Sequence, residues 1–177
     1  DYFDPLDPVP ELSQIIKNIH AIFVRFKDGD LKNIASKIRI QTTVGESYFL
    51  SIAKLRALRL LVDFLLDQWK IDRNDTRIPI AVVLDARTQS KDKNYNKIKA
   101  TTQAMSAVIA GADELCIHAS DAFTDGAGSS FDKRIALNIQ HLLQLESYLD
   151  RVVDPAAGSY YVEQLTDELA ERAWKGV

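Results

Sequence analysis

The side chains best equipped for chemistry gather in the stretch DELCIHASDAF, where Cys116, His118, Ser120 and Asp121 lie within six positions of one another. A histidine at the C-terminal end of a short strand, beside a serine and an aspartate, has the residue types of a general acid or base. Cys116 precedes it by two residues, so both would face one side of the strand, stacked along it and poorly placed as a nucleophile pair. The plainer reading makes Cys116 a packing residue and His118 a satisfied core histidine, because no orienting group can be assigned. Two carboxylate pairs present themselves as well, Asp113 with Glu114 and Asp85 with Asp121. Aspartates near strand ends serve as often as caps and loop anchors.

Basic residues pose a second question. Arg56 and Arg59 stand three apart in an apolar helical pattern, with Lys54 close by. Cations in such a setting need an anion: a carboxylate from a neighbouring helix is the ordinary solution and a phosphate-bearing ligand the sharper one. Arg134 and Asn138, with His141 one step round, form a polar stripe of the kind that faces solvent or braces a buried contact. TDGAGSS offers backbone amides after a strand but matches neither GxxxxGK[ST] nor GxGxxG. The histidines at 20, 118 and 141 are too scattered for a zinc site.

These residues ride on a chain of 177 amino acids, 46% apolar and 27% charged, long enough for one sizeable core. Its 22 basic and 25 acidic side chains give a net charge of −3, with no basic run interleaved with aromatics, so nucleic acid is not an expected partner. No apolar stretch approaches the ~20 residues of a membrane span, and DYFDPLDPVP lacks the features of a secretion signal. A cytoplasmic protein without a membrane partner is expected, and the single cysteine fits a reducing compartment. The chain begins at Asp1 and has no methionine before Met105, which reads as a piece cut from a longer protein.

The elements that must position the candidate residues alternate. Residues 1–11, rich in proline, read as an extended entry segment. A helix follows in ELSQIIKNIHAIFVRFKDGD, then a strand in KIRIQTTVG. Next come a long helix in SYFLSIAKLRALRLLVDFLLDQWKI, apolar on most sides, and a buried strand in IPIAVVLDA. A helix in KIKATTQAMSAVIAGA ends at Gly111, and DELCIHAS reads as a short buried strand. The fourth helix is SFDKRIALNIQHLLQLESYLD, stopped by Asp154-Pro155. Gly158 supplies a turn, Tyr160 to Val162 alternate faces in an extended segment, and a last helix over 164–177 takes Thr166 as its N-cap. Strands alternating with long helices imply βαβ units and a parallel sheet, α/β in class. Three strands with their helices amount to about three-eighths of a barrel.

Three stretches carry a resemblance: SYFLSIAKLRALRLL, KATTQAMSAVIAGADEL and RIALNIQHLLQLESYLDRVVDPAAGSYYVEQLTDELAERAW. Together they resemble the methylmalonyl-CoA mutase family over about Ile38 to Trp174. The resemblance implies the C-terminal part of a TIM (β/α)8 barrel, with the last helix leaving it. It also implies an adenosylcobalamin enzyme that interconverts methylmalonyl-CoA and succinyl-CoA. The DxHxxG pattern of the family's cobalamin domain does not occur, so no cobalamin is expected on this piece. Where catalytic members resemble LRTHSQTSGWSL and GTQSLHTNALDEA, this chain has VVLDARTQSKDKN and GADELCIHASDAF. Asp113 and Glu114 replace Gln-Ser and would repel a polyanionic CoA tail, while His118 matches no catalytic histidine. Those departures imply a small, non-catalytic subunit that forms a heterodimer with a catalytic large subunit, with no catalytic residue of its own. Arg56 matches the arginine of the family's AKLRA motif and is the one candidate contact to CoA phosphates. The alternatives are a catalytic acyl-CoA mutase piece that binds CoA directly and a non-enzymatic protein reusing the fold. Open sheet edges and apolar helix faces lead to the further expectation that the piece self-associates.

Overall fold

A computed structural model describes residues 7–123 and 128–177. Three parallel strands, β1 (Ile40–Val44), β2 (Ile80–Leu84) and β3 (Glu114–Cys116), form one sheet in the order β1-β2-β3. Each strand is followed by a helix: α3 (Tyr48–Gln68), α4 (Lys93–Ile109) and α5 (Ser130–Leu145) respectively. The strand order never reverses, so successive crossovers advance in one direction across the sheet. Before the sheet come α1 (Val9–Arg25) and the short α2 (Leu31–Ala35), and α6 (Tyr160–Lys175) closes the chain.

The register explains which face is covered. Ile40 pairs with Ile80, Thr42 with Val82, Val82 in turn with Leu115, and Val44 with Leu84. All of these are buried except the half-buried Leu115, and they share the core with Leu55, Leu58, Leu65 and Leu66 of α3 and Ala100, Ala104 and Ala107 of α4. The intervening positions point the other way by the pleat. There Gln41, Ala81 and Glu114 form one row and Thr43, Val83 and Cys116 the next. Of these six only Ala81 is buried; Gln41, Glu114 and Cys116 are exposed. The helices therefore cover one side of the sheet only.

A second layer of helices stands outside the first. α6 lies along α3 and against α1, where Ser13 donates its hydroxyl to the Ala173 carbonyl at 2.8 Å. Trp69, at the end of α3, donates its indole N–H to His20 Nδ1 at 3.3 Å and packs edge-on to Phe23.

Several expectations need correction. α1 begins at Val9, inside the 1–11 segment expected to be extended, because Pro8 and Pro10 sit at its start, where the first turn's N–H groups have no helical partner anyway. DELCIHAS is not a buried strand: β3 has three residues in an exposed, half-buried, exposed pattern, since it pairs with β2 alone. Cys116 is accordingly exposed and is not core packing. α5 ends at Leu145, well before Asp154-Pro155. α6 starts at Tyr160, so Thr166 lies in mid-helix and returns its hydroxyl to the Val162 carbonyl at 2.7 Å instead of capping. Tyr160 and Tyr161 form the first helical turn and are both exposed, with only Val162 turned inward.

Candidate functional site

Parallel α/β sheets bind ligands at the C-terminal ends of their strands, where the loops into the following helices meet. At that end β2 runs into Asp85, whose carboxylate caps a 3-10 turn (Ala86–Thr88) by accepting from the Arg87 amide at 2.9 Å. The Arg87 guanidinium wraps the same carboxylate, with Nη2 to Oδ2 at 2.6 Å. Burial pushes the Asp85 carboxyl up, but Arg87 and the more distant Lys54 outweigh it and hold it below its usual range. Lys54 is itself buried and clamped by Glu11 at 2.6 Å and by the Thr43 carbonyl at 2.9 Å.

The loops after β2 and β3 are joined by one buried amide. Asn96, 1% exposed in the first turns of α4, accepts from Ser90 N at 2.8 Å and donates to the Ser90 and Ser120 carbonyls, each at 2.9 Å. Ser120 donates its hydroxyl to Asp132 Oδ1 at 2.9 Å, Lys97 Nζ reaches the same oxygen at 2.8 Å, and Ser129 donates to Oδ2 at 2.9 Å. Lys97 also lies over the Phe131 ring, 5.4 Å from its centroid. Ser129 and Asp132 form a capping arrangement at the start of α5, since the Asp132 amide donates back to Ser129 Oγ at 3.2 Å. Gly128 precedes it with φ +77°, where a Cβ would meet Ala119 Cβ at 3.1 Å and Lys133 Cε at 3.2 Å.

Lys97, and after it the hydroxyls of Ser120 and Ser129, hold the Asp132 carboxyl well below the usual carboxylate range against the effect of burial. Its folded value is lowered, so its contribution to stability is complete above the ordinary aspartate value of ~3.9 and is lost as pH falls below it. Urea unfolding from pH 7 down to pH 2.5 should therefore show Asp132→Asn with a flatter acid limb than the wild type. Parallel limbs would show that Asp132 carries none of the slope.

The opposite end of the sheet is braced by ion pairs. Asp113 accepts from Arg59 at 2.6 Å, from Arg77 at 2.7 Å and from the Ile80 amide at 2.8 Å, while Glu114 pairs with Arg39. Burial raises the Asp113 carboxyl, and the Ile80 amide with the two arginines brings it net below its usual range. The expected Asp113–Glu114 pair thus divides between separate arginines, and Asp85 and Asp121 likewise serve their own loops, Asp121 accepting from Ser129 N at 3.1 Å. His118 lies past the end of β3, edge-on to Phe123 at 5.1 Å. Arg134, Asn138 and His141 line the exposed side of α5. Residues 124–127 of TDGAGSS fall outside the described residues.

Arg56 joins two distant motifs. From α3 its Nη1 reaches Asp154 and its Nη2 reaches Glu163 of α6 at 2.8 Å, while Nε is buried without a hydrogen bond. Asp154 takes φ +47°, a left-handed conformation that a residue other than glycine rarely adopts, and Gly158 takes φ +80°. Glu163 also accepts from the Gly158 amide at 3.0 Å. That amide and then Arg56 keep the Glu163 carboxyl below its usual range. The turn DPAAGSYYVE is thus held by the arginine of AKLRA.

The family model for methylmalonyl-CoA mutase matches residues 25–177, which takes in the sheet, both braced ends and the Arg56 joint. The chain belongs to the methylmalonyl-CoA mutase family. A methylmalonyl-CoA mutase small subunit of Porphyromonas gingivalis is 38% identical over 148 residues, 81% of this chain and 24% of that protein. A methylmalonyl-CoA mutase of Rhizobium meliloti is 35% identical over 147 residues, 82% of this chain and 20% of its own length. A probable small subunit of Mycobacterium bovis is 35% identical over 150 residues, 78% and 23%. The chain therefore spans no more than about a quarter of these relatives.

The network of Asn96, Lys97, Ser120 and Asp132 was missed by sequence reasoning. Only Ser129-x-x-Asp132 carried a local signal, that of a helix start. The remaining partners are 24 and 35 residues apart, for Asn96 with Ser120 and Lys97 with Asp132, and no periodicity marks them.

Proposed function

We propose that this chain is part of the barrel of a methylmalonyl-CoA mutase small subunit, which supports the interconversion of methylmalonyl-CoA and succinyl-CoA by pairing with a catalytic large subunit in the cytoplasm. The observation that carries this reading is that the best-placed charged groups at the two ends of the sheet and in α3 are already paired within the chain. Arg56 is taken by Asp154 and Glu163, Asp113 by two arginines, Asp85 by Arg87 and Asp132 by Lys97. Carboxylates held below their usual range are poor proton carriers near neutral pH, where a general acid or base works best with a matching pKa. Two small subunits among the relatives support the same assignment. The sheet, with successive strands in order and helices on one face, supports placement in a barrel.

Adenosylcobalamin supplies radical chemistry when it is bound in such an enzyme. The histidines of this chain do not fit it: His20 accepts from Trp69, His118 packs on Phe123, His141 lies on α5, and none stands in a DxHxxG sequence. Among the described residues no helix is long and apolar enough to cross a membrane.

The second reading, a catalytic mutase that binds CoA directly, is favoured by the match to an unqualified mutase and by the buried, unbonded Nε of Arg56. Calorimetry separates the two. CoA titrated into the full-length subunit should give no heat, and the subunit should co-purify with a larger chain. Tight binding that is lost in Arg56→Ala would overturn the small-subunit reading.

A further inference from the structure

The loops that follow β2 and β3 are fastened to one helix, since Asn96, Lys97, Lys99 and Gln103 all belong to α4. On the β2 side Lys99 Nζ donates to the Thr88 carbonyl and Gln103 Nε2 to Thr88 Oγ1 at 3.0 Å. Asn96 adds two bonds to the Ser90 backbone, accepting from its amide at 2.8 Å and donating to its carbonyl at 2.9 Å. On the β3 side the second N–H of the same amide goes to the Ser120 carbonyl at 2.9 Å. The Ser120 hydroxyl passes to Asp132, and Lys97 reaches that carboxylate from the residue next to Asn96. The chain of bonds thus returns to α4 one residue from where it left. Its central members are all more than nine-tenths buried, Asn96 at 1% exposure, Ser120 at 6% and Asp132 at 2%.

Swinging one loop away while the other stays closed leaves this buried amide half-satisfied. Without the Ser90 backbone, the Asn96 carbonyl oxygen loses its amide donor and one N–H its acceptor. Without Ser120, the other N–H is stranded and Asp132 loses a hydroxyl in the same movement. A buried polar group stripped of its partner costs more than the bond itself contributes, so states with a single open loop are disfavoured. With both loops open, water reaches the amide and satisfies it. We propose that the loops after β2 and β3 open and close as one unit, coupled through the buried Asn96 amide and the Ser120–Asp132–Lys97 bonds behind it. A contact made at either loop then orders the other, and by reciprocity each loop protects its neighbour by the same factor. The inference stands on these hydrogen bonds alone and does not depend on the mutase reading.

Hydrogen exchange of the full-length protein tests it, followed by mass spectrometry on peptides covering residues 86–92, 117–123 and, as a reference in β1, 40–44. Two mild substitutions perturb one side each. Ser120→Ala removes the hydroxyl bond to Asp132 on the β3 side and leaves the Ser120 carbonyl in place. Ser90→Ala removes the hydroxyl contacts to Asn96 and Asp92 on the β2 side and leaves the Ser90 backbone bonds. The expected result is that each substitution accelerates exchange in the loop it does not touch: Ser120→Ala at 86–92 and Ser90→Ala at 117–123, by similar factors of about fivefold or more. Exchange at 40–44 should stay as in the wild type. Acceleration that stops at the substituted loop, or none at all, would overturn the proposal. So would equal acceleration at 40–44, because the loops would then have no opening of their own.

Discussion

Arg56→Ala is expected to lower the unfolding free energy by about 2 kcal/mol, which for a chain of this size moves the midpoint of thermal unfolding down by roughly 6 °C. Removing one partner of a buried ion pair costs more than that, but Asp154 and Glu163 are each about two-fifths exposed and recover part of their hydration. The remaining loss is local. Without the guanidinium, Asp154 has no reason to hold its left-handed conformation, and the start of α6 loosens. Chymotryptic cleavage at Tyr160 and Tyr161, both exposed in the first turn, should accelerate accordingly. Arg56→Lys keeps the charge but offers one compact donor where two carboxylates diverge, so it should rescue only part of the stability. Unchanged unfolding and unchanged cleavage in Arg56→Ala would show that the joint contributes nothing.

A larger loss is expected from a substitution of a single atom type. Asn96→Asp keeps the volume and still accepts from Ser90 N, yet it gives up both donated bonds and sets a carboxylate against the Ser90 and Ser120 carbonyls. We expect a destabilisation of about 3 kcal/mol at pH 7. The sign of its pH dependence follows from the environment. Burial among carbonyls raises the folded pKa of the new carboxyl above the unfolded ~3.9, so the variant is nearest to the wild type below that value and falls behind as pH rises. Chemical denaturation at pH 4 and pH 7 should show the gap widening. A gap of equal size at both values would mean that the carboxyl escapes to water and that Asn96 does not clamp the two loops. Asn96→Ala, which removes the bonds without adding charge, should show a smaller and pH-independent loss.

Both substitutions touch contacts that no local pattern announces, and the contrast with the elements is instructive. The α3 helix was legible because its apolar residues recur at helical spacing around most of its circumference, and β2 because IAVVL is a continuous β-branched run. The parallel arrangement followed from alternation, since strands separated by long helices can hardly pair any other way. Where reading went astray, a neighbour overruled the local signal. DELCIHAS has the composition of a buried strand, yet β3 lies at an edge and exposes two of its three residues. SYYV alternates like a strand, yet its residues enter α6 because Val162 finds the core in a helical turn while both tyrosines remain in water. Thr166 has the chemistry of a cap, but the helix had already begun six residues earlier.

The candidate site divides in the same way. Residue types alone pointed to charged groups near strand ends and to an ion pair for Arg56, and the structure supplies Asp154 and Glu163 as its partners, 98 and 107 residues away along the chain. His118 and Cys116 looked like the chemical centre because they are rare and close in sequence. The polar network lies instead on Asn96, Lys97, Ser120 and Asp132, ordinary residues whose significance comes from burial.

By itself, the sequence determined the α/β class, the order of strands and helices and the family, because periodicity and the long motif around DPAAGSYY are properties of neighbouring residues. Only the tertiary structure decided which face of the sheet is covered and which carboxylate meets which cation. Those outcomes depend on distances of a few ångströms between residues that are far apart in the chain, and hydrogen bonds and ion pairs fade beyond that range.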